Sequence, residues 1–263
     1  MEPPHLYDCH AHLADERVFP SVERELARFR AAGGQGVLVA AADQAQWGRV
    51  IQLTAQPGVW GALGVHPLFL GGWIPAATPG HLHQALAATP RVRAVGEIGL
   101  DFQHGREQAQ AQAAAFAAQL SVAVAHGLPA VFHNRKSWAE FFAVVDSFPK
   151  GVSGVCHNFV GSRELAREVL DRGLTLSFGG PLTYPNARRA REAAEYAPED
   201  RILVETDTPE LPPWPCRGTP STPADVARVL AVLAEVRQTP LAAMAQRVAA
   251  NFRRLFSPVV VGG

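Results

Sequence analysis

Apolar residues along this chain fall into short blocks that alternate with longer stretches of helical periodicity, from one end to the other. The blocks read as strands: Leu6–His12, Gly36–Ala41, Trp60–His66, Val92–Ile98, Pro129–His133, Val152–His157, Leu174–Phe178 and Ile202–Asp207. Between them, Ser21–Ala32 places Val22, Leu26 and Phe29 on one helical face. Glu107–Ala125 does the same with Phe116 and Leu120, and Ser162–Arg172 and Asn186–Tyr196 follow the same style. Asp43-Gln-Ala-Gln46 and Thr222-Pro-Ala-Asp225 have the form of capping boxes, the second with Pro223 at the first helical position.

Eight strand–helix units in a chain of this length predict an α/β fold of the (β/α)8 TIM-barrel type. The rival, a doubly wound open sheet, would carry a Gly-rich phosphate turn after its first strand, and none is present. No internal repeat or Gly/Ser/Pro linker divides the sequence, so a single domain over 1–263 is expected, with 257–263 as a frayed tail. Pro212–Pro220 reads as a loop after the eighth strand.

Composition narrows the class. Of the 263 residues 48% are hydrophobic and 18% charged, enough for a large core and unlike a disordered chain. Twenty-four basic residues balance twenty-four acidic ones, which excludes a polybasic binder while leaving a local cationic groove open. Cys9, Cys156 and Cys216 are too few and too scattered for a disulfide framework or a zinc ribbon. Neither a secretory signal nor a membrane-spanning run is visible, so a cytoplasmic monomer without membrane contact is expected.

The candidate chemistry sits at strand ends. His10 and His12 lie two apart in a strand, so both should face one way while Cys9 and Ala11 face the helix layer. His66 closes the third block, Glu97 nears the end of the fourth, and His133, His157 and Asp207 close the fifth, sixth and eighth. Any one of them has a structural explanation: His66 as a hydrogen-bonded wall residue, Glu97 as the partner of an arginine, Asp207 as a cap. Together they converge on the barrel mouth where this fold carries its sites, and shared cations would compensate their burial. His81 and His83 share the spacing but sit on a helical stretch, where such residues face apart. His126 falls at a helix end and His5 and His104 in loops, so all five are left out.

These residues also carry a resemblance. Asp8–Leu13 (D-x-H-x-H-L), Gly64–Pro67 (G-V-H-P), Gly96–Asp101 (G-E-I-G-L-D), His133–Arg135, His157–Gly161 and Glu205–Pro209 (E-T-D-x-P) resemble the TatD family of metal-dependent deoxyribonucleases, in family order. Arg217-Gly218 and Asn251-Phe252 resemble its C-terminal portion. Lys136, where many members have Asp, and Glu210, where Tyr is frequent, depart from the pattern near the presumed substrate groove.

The resemblance implies two divalent cations, one held by His10, His12 and Asp207, the other by His133 and His157, with Glu97 bridging. Imidazole and carboxylate donors suit zinc, manganese, iron or nickel better than magnesium. It further implies Asp207 as general base, His66 on the phosphate or the leaving oxygen, and Arg135 and Lys136 as phosphate contacts. The expected activity is a 3'-5' exonuclease-like DNase acting through a metal-activated water, on DNA or a small phosphodiester. For Arg135 the alternative is a salt bridge to a rim carboxylate. For the chain, the alternatives are an amidohydrolase-like enzyme on a small amide, lactone or phosphoester, and a catalytically idle metal-binding scaffold. Amidohydrolase relatives often bridge their metals with a carboxylated lysine, and no proposed strand contains one.

Overall fold

The eight apolar blocks become eight parallel strands that neighbour one another in chain order. They are β1 (Leu6–Ala11), β2 (Gly34–Ala40), β3 (Val59–Leu63), β4 (Val92–Asp101), β5 (Ala130–Arg135), β6 (Gly154–Cys156), β7 (Thr175–Phe178) and β8 (Ile202–Val204). The structure, a computed structural model, describes residues 5–148 and 151–257, so the expected tail beyond Ser257 lies outside the described residues. Helices α1 (Val22–Ala31), α2 (Trp47–Leu53), α3 (Thr78–Ala88) and α4 (Ala109–Ala125) follow the first four strands. After them come α5 (Trp138–Asp146), α6 (Arg163–Asp171), α7 (Arg188–Tyr196), α8 (Val226–Val236) and α9 (Leu241–Phe256). None of the described helices is long and apolar enough to cross a membrane.

Regular pairing covers each successive pair from β1 to β8. The last seam, between β8 and β1, is closed by individual bonds at the mouth. Asp207 N–H donates to the His10 carbonyl at 2.9 Å, and His12 N–H to the Thr208 carbonyl at 2.7 Å. Buried Asp8 adds to the seam by accepting from Thr206 N–H and Oγ1, at 3.0 and 2.6 Å. At the other end of the barrel, Asn251 Nδ2 donates to the Ile202 carbonyl at 2.9 Å and ties α9 to the start of β8.

Besides shifts at Leu6/Tyr7 and Gly61/Ala62, the register breaks at two places where chemistry is needed. In β1 the residues between Asp8 and Ala11 face only one residue of β2, and in β4 those between Val95 and Ile98 face only one of β5. Bulges of this kind re-aim side chains. The β1 bulge corrects the expected alternation: Cys9 does not face the helix layer. Its thiol donates to Ser177 Oγ on β7 at 3.0 Å and lies 3.6 Å from Glu205, across the barrel interior. The β4 bulge holds Gly96 and Glu97. β4 also runs three residues beyond its expected end, to Asp101 beside Arg135. That extension needs Gly99, at φ 145°, where a side chain would collide with the His133 carbonyl.

α4 buries Gln112, Ala115, Phe116, Gln119, Leu120 and Ala123, the spacing of one helical face. Its two buried glutamines each clamp both backbone groups of one residue at the mouth. Gln119 accepts from Val65 N–H at 2.7 Å and donates to its carbonyl at 3.1 Å; Gln112 does the same for Asp101 at 2.9 and 3.1 Å. These bonds stand in for a sheet ladder where β3 and β4 leave it, and they hold the chain beside His66. Replacing Gln119 with Leu keeps the apolar contact but orphans two buried backbone groups. The expected loss is about 2–3 kcal/mol of stability, read as a lower urea midpoint at unchanged slope.

Candidate metal centre

The mouth gathers the expected residues from six elements. His10 lies in β1, His12 just past it, Glu97 in β4, His133 in β5, and His157 directly after β6. His66 and Asp207 lie three residues beyond β3 and β8, on the extended chain that follows these short strands. With Arg135, all of them except the fully buried His10 line a cavity of about 490 Å³.

At its centre the Glu97 carboxylate is 1% exposed. Oε2 faces His10 Nε2 at 3.3 Å and His12 Nε2 at 3.2 Å. Oε1 faces His133 Nδ1 at 2.7 Å and His157 Nε2 at 2.8 Å. Asp207 Oδ1 completes the first group, 3.4 Å from both His10 and His12. One carboxylate therefore serves two donor groups, one through each oxygen.

The other ring nitrogens explain which atoms point inward. His12 Nδ1 lies 3.2 Å from the Ala40 carbonyl, His157 Nδ1 3.2 Å from Glu205 Oε1, and His133 Nε2 3.0 Å from Asp101 Oδ2. Each of these oxygens accepts, so the outer nitrogen carries a proton, and a singly protonated ring offers the lone pair of its inner nitrogen to a cation. His10 Nδ1 is buried without a partner. His66 differs: its Nδ1 accepts from Leu68 N–H at 3.1 Å, which puts the proton on the inner Nε2. That nitrogen is 3.2 Å from His133 and 3.5 Å from Glu97, a donor's position more than a ligand's.

The donor set fits divalent cations. His10 and His12 present Nε2 atoms to each other at 3.1 Å, and a cation between the facing nitrogens offsets their repulsion. Tetrahedral zinc, with bonds of about 2.0–2.1 Å, separates its donors by roughly 3.3 Å. The separations in the His10, His12, Glu97 and Asp207 group run from 3.1 to 3.4 Å. Three trios have the spacing of a metal site: His10, His12, Asp207; His10, Glu97, His157; and His66, Glu97, His133.

Electrostatics agree. Burial alone would raise the Glu97 pKa, but the neighbouring imidazoles, the charge of His157 foremost, outweigh it and hold it well below the usual carboxylate range. Burial opposes charge on His12 as well; its bonds to Asp207 and Glu97 win and push it up to about 10. His133 and His157 are raised against the same burial, the first by its bonds to Asp101 and Glu97, the second by the charges of Glu97 and Glu205. For His66 burial prevails, aided by the neighbouring imidazoles, and its pKa falls to about 3. This is a site that attracts positive charge.

Two residues of the centre lay inside the quoted motifs without a role. Asp101 and Glu205 orient His133 and His157, and Glu205 also accepts from Asn158 N–H at 2.7 Å. Their signal was a second acid near each ligand acid, four residues after Glu97 and two before Asp207. The chain just past β5, β6 and β8 turns through left-handed backbone at Lys136, Asn158 and Asp207, a conformation that non-glycine residues keep mostly at functional sites. This turn carries Lys136 out of the cavity that Arg135 lines and into a neighbouring groove. Among the described residues neither cation has a carboxylate within ion-pair distance, so the rim salt bridge considered for Arg135 is not formed. Glu210 instead pairs with Arg17 at 2.7 Å on the opposite rim.

Loss of Glu97 is expected to disturb both groups at once. The Glu97→Ala variant should bind less metal by elemental analysis than His133→Ala, and turnover should vanish. Two metals per chain and a near-normal rate in Glu97→Ala would contradict the shared carboxylate.

Comparison with known proteins agrees with this geometry. Residues 7–257 match the family model of TatD related DNases. The chain is 31% identical over 260 residues to the metal-dependent hydrolase YabD of Bacillus subtilis, covering 95% of this chain and 98% of that one. It is 32% identical over 266 residues to the 3'-5' ssDNA/RNA exonuclease TatD of Klebsiella pneumoniae, covering 98% and 100%. The crystal structure of YjjV, a TatD homologue from Escherichia coli, superposes with a TM-score of 0.90 at 31% identity, over 97% of this chain and 98% of the other. A barrel whose mouth gathers five histidines around one buried glutamate thus belongs to the TatD family of metal-dependent hydrolases.

Proposed function

We propose that the chain is a two-metal phosphodiesterase that removes nucleotides from the 3' end of single-stranded nucleic acid. The observation that carries this reading is Glu97, whose two oxygens each face a separate imidazole group. His10, His12 and Asp207 would hold one cation, His133 and His157 the other, and Glu97 both. Bound there, divalent cations supply Lewis acidity at the phosphodiester and lower the pKa of water to near neutrality.

The protein's own groups do the rest. Asp207 is held below the usual carboxylate range, because its bonds to His10 and His12 outweigh the effect of burial, and it is ionised and able to accept a proton from water. His66, with Nδ1 committed to Leu68 N–H, donates from Nε2 to a phosphate oxygen. The same bond disfavours a general-acid role, since a doubly protonated ring would turn Nδ1–H against Leu68 N–H. Arg135, exposed at the rim and free of a carboxylate partner, is a bidentate donor for the neighbouring phosphate. Water oxygen bonds to phosphorus as the bond to the leaving sugar oxygen breaks; one proton of the water passes to Asp207, and the leaving oxygen takes a proton from solvent.

The test is a 5'-labelled single-stranded oligonucleotide given to protein stripped by a chelator and then reloaded with zinc, manganese, nickel, iron or magnesium. A ladder shortening from the 3' end, absent after stripping and restored by metal, is the expected result. Hydrolysis of small amides or lactones with intact nucleic acid would overturn it. Arg135→Ala should raise KM several-fold, lower the salt slope by about 0.7, the share of one phosphate, and leave metal content unchanged. An unaltered KM and slope would leave Arg135 a solvated bystander.

A further inference from the structure

Charge at the rim of the cavity is lopsided. On the β1 and β8 side, Arg17 is held by Asp15 at 2.9 Å and Glu210 at 2.7 Å, which cancels its charge. On the β5–β7 side, a groove of about 760 Å³ opens beside the cavity and shares Asn134, Arg135, His157, Asn158 and Val160 with it. Arg135, Lys136, Arg188 and Arg189 line this groove against only two acids, Glu164 and Glu192. Arg188 meets Glu192 at 3.6 Å, an exposed pair within one helix and weak enough to exchange for a phosphate. In a chain of zero net charge, these four cations are gathered along one path leading away from the metal centre.

The groove also offers apolar surface. Val160, 54% exposed, stands where the cavity and the groove meet, and half-buried Trp138 lines the groove beyond it. Cations alternating with apolar faces suit a strand whose bases are unpaired and whose phosphates are regularly spaced. A duplex hides its bases and a small phosphodiester ends at the cavity, so neither uses this surface.

Resting on the function proposed above, we infer that this groove seats the chain of a single-stranded polynucleotide behind the scissile bond, with Arg188 and Arg189 of α7 as phosphate contacts. The terminal nucleotide occupies the cavity, its scissile phosphate beside His66 and the neighbouring phosphate at Arg135. The upstream backbone turns across Val160 toward α7. These two arginines then set the preference for a polymer over a dinucleotide, while the reaction itself belongs to the residues below.

The experiment compares the metal-loaded wild type with the Arg188→Ala/Arg189→Ala double variant on a dinucleotide and on a single-stranded oligonucleotide of roughly ten nucleotides. The ratio of kcat/KM for the oligonucleotide to that for the dinucleotide is expected to fall roughly tenfold, and the salt slope for the oligonucleotide by about 1.4. Arg188→Lys/Arg189→Lys should restore most of both. An unchanged ratio and slope would overturn the inference, as would an equal loss on both substrates. A phosphorothioate oligonucleotide followed by fluorescence anisotropy gives the same comparison without turnover. If wild type cleaves neither substrate, the proposed reaction fails, and the anisotropy difference between wild type and variant still decides the groove.

Discussion

A carboxylate buried at the mouth of an apolar barrel is the constraint around which the rest is arranged. Removing a charge of this kind from water costs several kcal/mol unless it is paired and hydrogen-bonded. Glu97 meets five imidazoles, and the other nitrogens of four of them are in turn satisfied. That requirement reaches outward to the Ala40 carbonyl, to Asp101, to Glu205 and to Leu68 N–H. Each partner fixes a ring orientation. Three of the imidazoles that would bind metal, His12, His133 and His157, are set with their protons outward, and His66 points its proton inward. Ligand and hydrogen-bond donor are thus told apart by what lies behind each ring.

Regular strands cannot produce this by themselves, because alternation sends every second side chain outward. The two bulges supply the exceptions, at His10 and at Glu97, and the short β3, β6 and β8 leave free backbone near the mouth. Gln119 and Gln112 then satisfy backbone groups that a longer ladder would have paired. Precision at the centre therefore depends on α4, a helix in the outer layer.

The barrel and the gathering of these side chains at its mouth were legible in the sequence for one physical reason. Apolar blocks that end in histidine or acid are improbable unless those groups meet; five of the eight blocks end so and a sixth carries Glu97 one residue before its end, which leaves few ways for them to do so. The inward turn of Cys9 was not legible, because a bulge is decided by the register of two strands together. Nor were the roles of Asp101 and Glu205, which follow from ring orientation. Helix α5, with Trp138 and Phe141, went unassigned for want of a distinct polar face. The path of Lys136 depended on a left-handed turn that its side chain does not announce. The groove was hidden most completely, since zero net charge averages the acids around Arg17 with the exposed arginines of α7.

The placement of paired duties on single segments has a consequence for descent. β4 carries both Glu97 and Asp101, and the end of β8 carries both Glu205 and Asp207, so one inserted or deleted residue in either would derange both halves of the centre together. A slip in β5 or β6 would remove one ligand. The loops and helix ends that line the groove hold none of the ligands beyond His157. Lineages are free to trade residues there, and with them the size and charge of what is bound, while the central acids stay in place. In this barrel, diversity of substrate is cheapest along the β5–β7 rim.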